Sequence, residues 1–335
     1  MPLLDLPLDE LEQYRPDLEP PADLVERWEA TLAQARSYEL GLRVERVDAG
    51  MSAIEAYDMT FAGFGGDPIR AWYLRPAGVQ GPLPVVVEYN GYGGGRGLVH
   101  ERLYWAASGY AHLFMDTRGQ GSGWGAGGET VDRAGANGEA GGPSHPGFMT
   151  RGILDFDSYY YRRLITDAVR AVDAARALPG VDPERVAVTG GSQGGALTLA
   201  VAGLADGLVA AMPDVPFLCH VRRAVEISDS DPYGEVARYL AVHRGHVDAA
   251  FRTLSYVDGV HLGALASAPA LFSVALMDPI CPPSTVFAAF HAYGGSASIE
   301  VYPFNGHEGG QAYQQAKQQA WLGTVLGLDG ARSVS

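Results

Sequence analysis

The sequence has few cysteines and few positive charges, and each shortage excludes a class of protein. Its two cysteines, Cys219 and Cys281, are too few for a disulfide framework and show no CxxC spacing, so we expect free thiols in a reducing compartment, the cytoplasm. Lysine and arginine number 24 against 39 acidic residues, which gives a net charge of −15. A field of that sign repels phosphate backbones and anionic lipids, so we expect neither nucleic acid nor a membrane as a partner.

Long apolar runs and a targeting segment are also absent from the sequence. No run approaches the ~20 apolar residues of a membrane-spanning helix. The first residues, MPLLDLPLDELEQY, have no basic region before the apolar positions and carry acids throughout, which argues against a secretory signal. The chain has 335 residues, 47% of them hydrophobic, and neither an internal repeat nor a linker-like composition divides it. We therefore expect one domain over residues 1–335.

Strand-like and helix-like segments alternate along most of the chain. An amphipathic helix is predicted over 22–39, within an N-terminal helical extension over 1–40, and a short β-branched run such as LPVVVEY (83–89) suits a strand buried on both faces. The alternation predicts an α/β fold with a mostly parallel sheet and helices on both faces. The other expected strands are 42–48, 55–62, 69–75, 111–116, 185–189, 209–213, 269–277 and 298–303, and the other expected helices are 155–178, 194–205, 284–293 and 311–326.

Two long segments do not follow this alternation. Residues 217–260 are expected to be irregular and partly helical. Residues 119–152 are rich in glycine and show little periodicity, which predicts a long loop. A loop of that length is unusual in a compact domain and indicates a functional or interface role.

One serine lies within a glycine-rich turn between a strand-like and a helix-like stretch, RVAVTGGSQGGALTLA (185–200). Gly190-x-Ser192-x-Gly194 matches the nucleophile elbow, where side chains two positions from a strained serine would collide with the neighbouring strand and helix. The pattern alone is weak in a chain with 44 glycines. A non-catalytic turn or a phosphate-binding turn is the alternative, although this turn comes late for a dinucleotide fingerprint and lacks the lysine of a Walker loop.

Candidate partners for Ser192 follow it in the chain order of α/β-hydrolases, nucleophile, acid and histidine. Asp278 ends the strand-like APALFSVALMD, and His307 lies in a glycine-rich loop after the next strand. Catalytic groups belong at the carboxyl ends of parallel strands. Taken alone, Asp278 could be a turn residue before Pro279, and His307 could be a loop histidine that bonds the backbone. Together with the elbow, the three residues predict a catalytic triad.

A serine hydrolase also needs hydrogen-bond donors for the oxyanion of its tetrahedral intermediate. One donor is the backbone N–H of the residue after the nucleophile, here Gln193, and the other comes from a loop after an early strand. The glycine-rich EYNGYGGGRG (88–97) follows such a strand, so the Tyr92 N–H is the second candidate, with a plain surface turn as the alternative. Cys281, close to Asp278 in sequence, borders the pocket or is a small buried thiol. Glu308, beside His307, is expected to be a structural hydrogen-bond partner.

Several long blocks of sequence resemble one known family. DTRGQGSGWG (116–125), GGSQGG (190–195), DVPFLCHVRRAV (214–225) and NGHEGG (305–310) are similar to blocks of the acetyl xylan esterases and cephalosporin-C deacetylases, carbohydrate esterase family seven of the α/β-hydrolase superfamily. The resemblance extends from about residue 1 to residue 327. It implies the α/β-hydrolase fold.

The resemblance also implies roles for individual residues. The triad is Ser192, Asp278 and His307, and the oxyanion donors are the amides of Tyr92 and Gln193. The remaining residues that it implicates have structural or pocket-lining roles: Arg118, Gly119, Gln120 and Glu308 belong to structural motifs, and Phe217, Pro232 and Cys281 are candidates for the substrate pocket beside Tyr92 and Gln193.

The function implied by the resemblance is removal of acetyl groups from short acetylated sugars and from cephalosporin C, without a metal or other cofactor. The family also implies a cytoplasmic homohexamer whose active sites face a central chamber, with residues 119–152 as an interface element. Within that loop, residues 126–145 are richer in glycine and alanine than the family leads one to expect. Two alternatives stay open: an α/β-hydrolase with another ester, peptide or acyl-transfer specificity, and a non-catalytic binding protein of the same fold.

Overall fold

The chain folds around one mixed β-sheet. A computed structural model describes residues 5–123, 125–133 and 142–328. Across those residues the sheet has nine strands, in the spatial order β1-β2-β3-β5-β4-β6-β7-β8-β9. The strands are β1 (Arg43–Val47), β2 (Ile54–Ala62), β3 (Pro68–Pro76), β4 (Leu83–Tyr89), β5 (Ala111–Met115), β6 (Val181–Gly191), β7 (Leu208–Asp214), β8 (Ala270–Ala275) and β9 (Ala297–Tyr302).

Helices precede the sheet and connect its strands. They are α1 (Leu8–Leu11), α2 (Leu24–Arg36), α3 (Tyr104–Ala107), α4 (Tyr160–Arg176), α5 (Gln193–Leu204), α6 (Val221–Ile227), α7 (Tyr233–Val242), α8 (Val247–Ser255), α9 (Gly259–Gly263), α10 (Pro283–Ala292) and α11 (Gln311–Val325). Short 3-10 turns lie at Phe64–Gly66, Val99–Glu101, Phe148–Thr150, Phe156–Ser158 and Arg244–His246. None of the helices in the described ranges is both long and apolar enough to cross a membrane.

Alternating side chains of the central strands pack under helices on opposite faces of the sheet. In β4, Val85 and Val87 belong to the core that α4 and α5 cover, whereas Val86 packs with Trp105 of α3 and Leu322 of α11. A strand buried on both faces has this apolar run because its successive side chains point to opposite sides. The predicted α/β-hydrolase fold with helices on both faces is confirmed.

The carboxyl ends of six parallel strands lie along one edge of the sheet. β5, β4, β6, β7, β8 and β9 pair in parallel, whereas β1, β2 and β3 form an antiparallel end that joins β5. The segments after these six strands therefore meet at one edge. They contain Tyr92, Arg118, Ser192, Asp278 and His307, and β7 itself ends at Asp214.

The segments predicted least sharply differ most from the structure. Residues 217–260 contain the helices α6, α7 and α8 and the start of α9, and α3 had no counterpart among the predicted helices. The helix predicted over 155–178 begins at Tyr160, after the separate turn Phe156–Ser158. Within the predicted loop 119–152, the described residues form no α-helix or extended strand, only the 3-10 turn Phe148–Thr150. Residue 124 and residues 134–141 lie outside the described residues, so part of the 126–145 stretch does too.

Candidate active site

Ser192 occupies a strained turn between β6 and α5. Its backbone has φ 56° and ψ −117°, a region that residues with a side chain rarely adopt. Hydrogen bonds hold it there: the Ser192 N–H donates to the Asp214 carbonyl (3.0 Å), and the Ser192 carbonyl accepts from the N–H groups of Ala196 and Phe217 (3.0 Å each). The surrounding fold thus fixes the serine in place, with its hydroxyl at the carboxyl edge of the sheet.

The glycines on either side of Ser192 are required by close backbone approaches. A Cβ on Gly194 would lie 2.2 Å from the Tyr89 carbonyl oxygen at the end of β4. A Cβ on Gly190 would lie 2.6 Å from the carbonyl carbon of Gly194 at the start of α5. Both distances are well inside van der Waals contact, so the steric reason for the predicted elbow is present at both flanks.

Ser192, His307 and Asp278 form a continuous hydrogen-bonded chain. Ser192 Oγ lies 2.9 Å from His307 Nε2, and His307 Nδ1 lies 2.8 Å from Asp278 Oδ2. The carboxylate can only accept, so Nδ1 carries the proton and Nε2 is left to accept from the serine hydroxyl. The structure therefore brings together the three residues predicted from sequence order.

Backbone groups fix the orientation of the Asp278 carboxylate. Its Oδ1 accepts from the N–H groups of Ile280 (2.8 Å) and Cys281 (2.9 Å), which leaves Oδ2 for His307. The carboxylate is fully buried, whereas the His307 side chain is 26% exposed. The imidazole thus links a buried, oriented acid to a serine that substrate can reach.

A second carboxyl group near His307, that of Asp214, was missed by the sequence analysis. It lines the same cavity as His307 and accepts a hydrogen bond from Ser273 Oγ. Burial raises the pKa of Asp214 to about 6, although the Ser273 hydroxyl and the charge of His307 act in the opposite direction. Its place as the last residue of β7, next to β6, is the signal that could have found it. The acid that hydrogen-bonds the imidazole is Asp278.

The side chain of Gln193 connects the elbow to neighbouring segments. Its Oε1 accepts from Gln120 Nε2 (2.8 Å) and the Tyr161 hydroxyl (3.0 Å), and its Nε2 donates to the Asn90 carbonyl (3.3 Å). The backbone N–H of Gln193 is at the first position of α5, where N–H groups have no partner inside the helix. Its side chain thus has a structural function that the sequence analysis did not assign, beside the predicted role of the N–H.

A cavity of about 550 Å³ opens over the serine and the histidine. Of the predicted pocket residues, Tyr92 and Pro232 line it. The residues that line the cavity are Asn90, Gly91, Tyr92, Gly94, Glu101, Arg102, Gly125, Ala126, Gly191, Ser192, Asp214, Val215, Asp231, Pro232, Ile280, His307 and Glu308.

Three other predicted pocket residues lie behind this wall. Phe217 is fully buried and packs against the rings of Tyr92 and Tyr233. Cys281 is also buried, and burial raises the pKa of its thiol well above the usual value, which agrees with a small inert thiol. The side chain of Gln193 is buried in the network described above. The prediction that they line the pocket is therefore corrected, because all three side chains are buried and absent from the cavity wall, although the Cys281 thiol lies close to Asp278 and His307.

The predicted structural residues make mainly internal contacts. Arg118 is fully buried, and its guanidinium reaches carboxylates of Asp167 (2.8 Å), Asp132 (3.2 Å) and Asp67 (3.2 Å). Gly119 has φ 67°, which a glycine adopts without strain. Gln120 Oε1 accepts from the Gly93 N–H (2.7 Å), so the 118–120 segment braces the loop that carries Tyr92.

Glu308 is the one of these predicted structural residues that reaches the cavity. It is exposed at the cavity wall, and its carboxylate accepts from Asn305 Nδ2 (3.0 Å). The hydrogen bond spans the loop that carries His307, which agrees with the structural role predicted for Glu308.

Ligand atoms of Asp278, Cys281 and His307 all lie within 4.8 Å of one another, close enough to share a cation. Two of these groups are hydrogen-bonded to each other, and the third is a buried thiol whose raised pKa keeps it protonated. A thiol binds metals as the thiolate, so this set of donors fits the hydrogen-bonded chain better than a metal.

A known family matches the chain over nearly its whole length. The sequence profile of the acetyl xylan esterase family, AXE1, matches residues 1–325. The chain is 25% identical over 300 residues to the acetyl esterase Axe7A of Xylanibacter ruminicola, an alignment that covers 88% of this chain. The chain spans 65% of the length of that relative.

Solved structures extend the similarity to three dimensions. An acetyl xylan esterase from Paenibacillus sp. R4 superposes with a TM-score of 0.87 at 38% identity, covering 95% of this chain and 99% of the other. Acetyl xylan esterase 1 from Thermoanaerobacterium sp. JW/SL YS485 superposes with a TM-score of 0.82 at 31% identity, covering 95% and 98%. Both similarities extend over nearly the whole of both chains.

Proposed function

The chain belongs to the acetyl xylan esterase family, and from that premise we propose that it is a serine esterase that removes acetyl groups from small acetylated carbohydrates. The observation that carries the proposal is the hydrogen-bonded chain Ser192–His307–Asp278 on a strained turn beneath a cavity. Nucleophile, base and orienting acid in that arrangement are the machinery of acyl transfer through a covalent intermediate.

In the proposed reaction, His307 Nε2 takes the proton of the Ser192 hydroxyl as Oγ attacks the acetyl carbonyl carbon. The resulting oxyanion accepts hydrogen bonds from the N–H groups of Tyr92 and Gln193, and one such donor contributes about 10²–10³ in rate. The tetrahedral intermediate collapses, the C–O bond to the sugar breaks, and His307 gives its proton to the departing alcohol. Water, deprotonated by His307, then cleaves the acetyl-enzyme to acetate and restores the serine.

Asp278 keeps the imidazole in the tautomer that this sequence needs. Its carboxylate holds the proton on Nδ1 and stabilises the imidazolium that forms when Nε2 takes the serine proton. The two backbone N–H groups on its Oδ1 prevent the carboxylate from rotating away.

The charges around the cavity favour a neutral substrate. Among the ionisable groups of its exposed wall, Asp231 is paired with Arg238, whereas Glu101 and Glu308 are hydrogen-bonded by a backbone N–H and an amide. The Arg102 guanidinium donates to the Arg96 carbonyl and stacks on the Phe114 ring, and burial lowers the pKa of this guanidinium. An acetylated oligosaccharide meets these carboxylates without repulsion. Cephalosporin C, which the family resemblance adds as a second substrate, carries a net negative charge and meets them unfavourably.

We expect a substrate panel to rank neutral acetylated xylo-oligosaccharides above cephalosporin C. One like-charge contact at 4 Å in water costs about 1 kcal/mol, so the gap in kcat/KM attributable to charge should be about fivefold and should shrink in high salt. The measurement is acetate release from both substrates at low and high ionic strength. Peptides and longer acyl esters complete the panel.

A different ranking would contradict the proposed activity. Preferential cleavage of peptides, or acyl transfer without net hydrolysis, would indicate another α/β-hydrolase specificity. Failure to react with any ester would indicate the non-catalytic alternative.

The same family supports proposals about organisation. We propose that the chain is one domain: the described strands form one sheet, and Leu11 of α1 and Trp28 of α2 are fully buried in its core. The family resemblance further supports a cytoplasmic homohexamer with residues 119–152 at an interface. The two buried free thiols, Cys219 and Cys281, agree with a reducing compartment.

A further inference from the structure

Glu235, on the first turn of α7, has both carboxylate oxygens hydrogen-bonded to other segments of the chain. Oε1 accepts from the Tyr92 hydroxyl at 2.6 Å, and Oε2 accepts from the Met149 N–H at 3.2 Å. Glu235 is absent from the cavity wall and has no part in the proposed reaction. Its two partners are 143 and 86 residues away in sequence, in the proposed oxyanion loop and in the long loop before α4.

The Tyr92 hydroxyl needs an acceptor at this position. Its oxygen accepts from the N–H groups of Gly147 (3.1 Å) and Phe148 (2.9 Å). A phenolic hydroxyl has one proton and two lone pairs, so with both acceptor positions used its proton must go to a separate acceptor. The Glu235 carboxylate supplies that acceptor, at a distance typical of a strong hydrogen bond to a charged group.

These contacts use the one proton and both lone pairs of the Tyr92 hydroxyl. The residue is 4% exposed, and its ring packs edge-on against Phe148 with centroids 5.7 Å apart. A side chain held at its tip restricts the backbone to which it is attached. The Tyr92 N–H is the group proposed to bind the oxyanion, and such donors act only when they are held near 3 Å from the position of the developing charge.

We propose that Glu235 is a positioning residue for the oxyanion hole, acting through the Tyr92 hydroxyl to hold the Tyr92 N–H in place. The inference rests on the proposed esterase function and deepens it. Glu235 touches neither substrate nor reacting atoms. Its carboxylate connects α7 with the loop that carries the Tyr92 N–H. The residue directly before α7 is Pro232, which lines the cavity.

The test is Glu235→Gln, which keeps the shape of the side chain but replaces one acceptor oxygen with an NH₂ group. Either the Tyr92 hydroxyl or the Met149 N–H then faces a donor. We expect kcat for p-nitrophenyl acetate to fall roughly 10- to 100-fold, since small misplacements of catalytic groups cost up to about that much. KM should stay within about twofold, because neither the bound ester nor the acetyl-enzyme carries the oxyanion and the same hole serves acetylation and deacetylation.

Tyr92→Phe removes the same hydrogen bond from the other partner. We expect a similar fall in kcat. The double variant should lose little more activity than either single variant, because both single variants and the double variant remove the same Tyr92–Glu235 hydrogen bond. Glu226→Gln, an exposed glutamate on α6, is the matched control and should keep the wild-type kcat. Circular dichroism and thermal melting establish that each variant is folded.

Three outcomes would overturn the inference: an unchanged kcat in folded Glu235→Gln, a rise in KM with kcat intact, or losses that multiply in the double variant. If Glu235→Gln does not fold, Tyr92→Phe alone decides, and a folded Tyr92→Phe with unchanged kcat would contradict the inference. These results differ from failure of the esterase proposal, which would appear as a wild-type protein without Ser192-dependent hydrolysis.

Discussion

Ser192→Ala is expected to lower kcat for acetyl-ester hydrolysis by roughly 10⁵- to 10⁶-fold, the loss typical when a triad nucleophile is removed. The hydroxyl is the atom that forms the covalent bond to the acetyl group in the proposed reaction, and the contact that the variant deletes is the 2.9 Å hydrogen bond to His307. The alanine keeps the backbone hydrogen bonds of the elbow, so the fold should survive. Acetate release under saturating substrate measures the effect.

Ser255→Ala is the matched control for this prediction. Ser255 is half-buried at the end of α8, where its hydroxyl donates to the Arg252 carbonyl, and it is not part of the cavity wall. It should keep the wild-type rate. A Ser192→Ala protein within tenfold of wild type would contradict the assignment of the nucleophile.

Asp278→Asn is expected to lower kcat by about 10⁴-fold, through the tautomer of His307. The amide oxygen of the asparagine will occupy the Oδ1 position, because two backbone N–H groups, those of Ile280 and Cys281, need an acceptor there. Its NH₂ group must then face Nδ1. That contact stabilises the imidazole with its proton on Nε2, where it cannot accept from Ser192.

The Asp214→Asn variant distinguishes the roles of the two carboxyl groups near His307, those of Asp214 and Asp278. Asp214 is hydrogen-bonded to Ser273, whereas the imidazole is hydrogen-bonded to Asp278, so its replacement should cost at least a hundredfold less in kcat than Asp278→Asn. Parallel steady-state measurements on both variants test this order. The reverse order would identify Asp214 as the acid that serves His307.

The hydrogen-bonded arrangement of Ser192, His307 and Asp278 could be predicted because its signals are local. The elbow pattern is fixed by steric contacts of Gly190 and Gly194 that any such turn makes. Asp278 and His307 were found because each follows a recognisable strand, and parallel strands bring their carboxyl ends to one edge. Sequence order and strand ends were sufficient for these residues.

The hydrogen-bond partners of the supporting residues could not be predicted because these bonds join distant segments. The Glu235–Tyr92 hydrogen bond joins residues 143 positions apart, and the Gln120–Gln193 bond joins residues 73 apart. No periodicity or motif records such a pairing. Phe217, suggested by the family resemblance, and Cys281, suggested by its proximity to Asp278 in sequence, are both buried, because neither signal determines which way a side chain points.

Secondary-structure elements with a clear local pattern were also predicted, whereas elements without one were not. β4 was predicted to the residue, because LPVVVEY is a continuous β-branched run between turns. Helices α6 to α9 were not separated, because their short apolar stretches are interrupted by several polar residues and their helical state depends on packing beside the sheet. The four-residue α3 is too short for a periodic signal.

The central claim is that Ser192 becomes covalently acylated, and reaction with a serine-directed phosphonate tests it most directly. Intact-mass and peptide mass spectrometry after labelling should show one phosphonyl group per chain, on the peptide that contains Ser192, with loss of esterase activity in proportion to labelling. Ser192→Ala should take up none. Labelling at another residue, or full acetyl-ester hydrolysis by protein phosphonylated at Ser192, would contradict the claim.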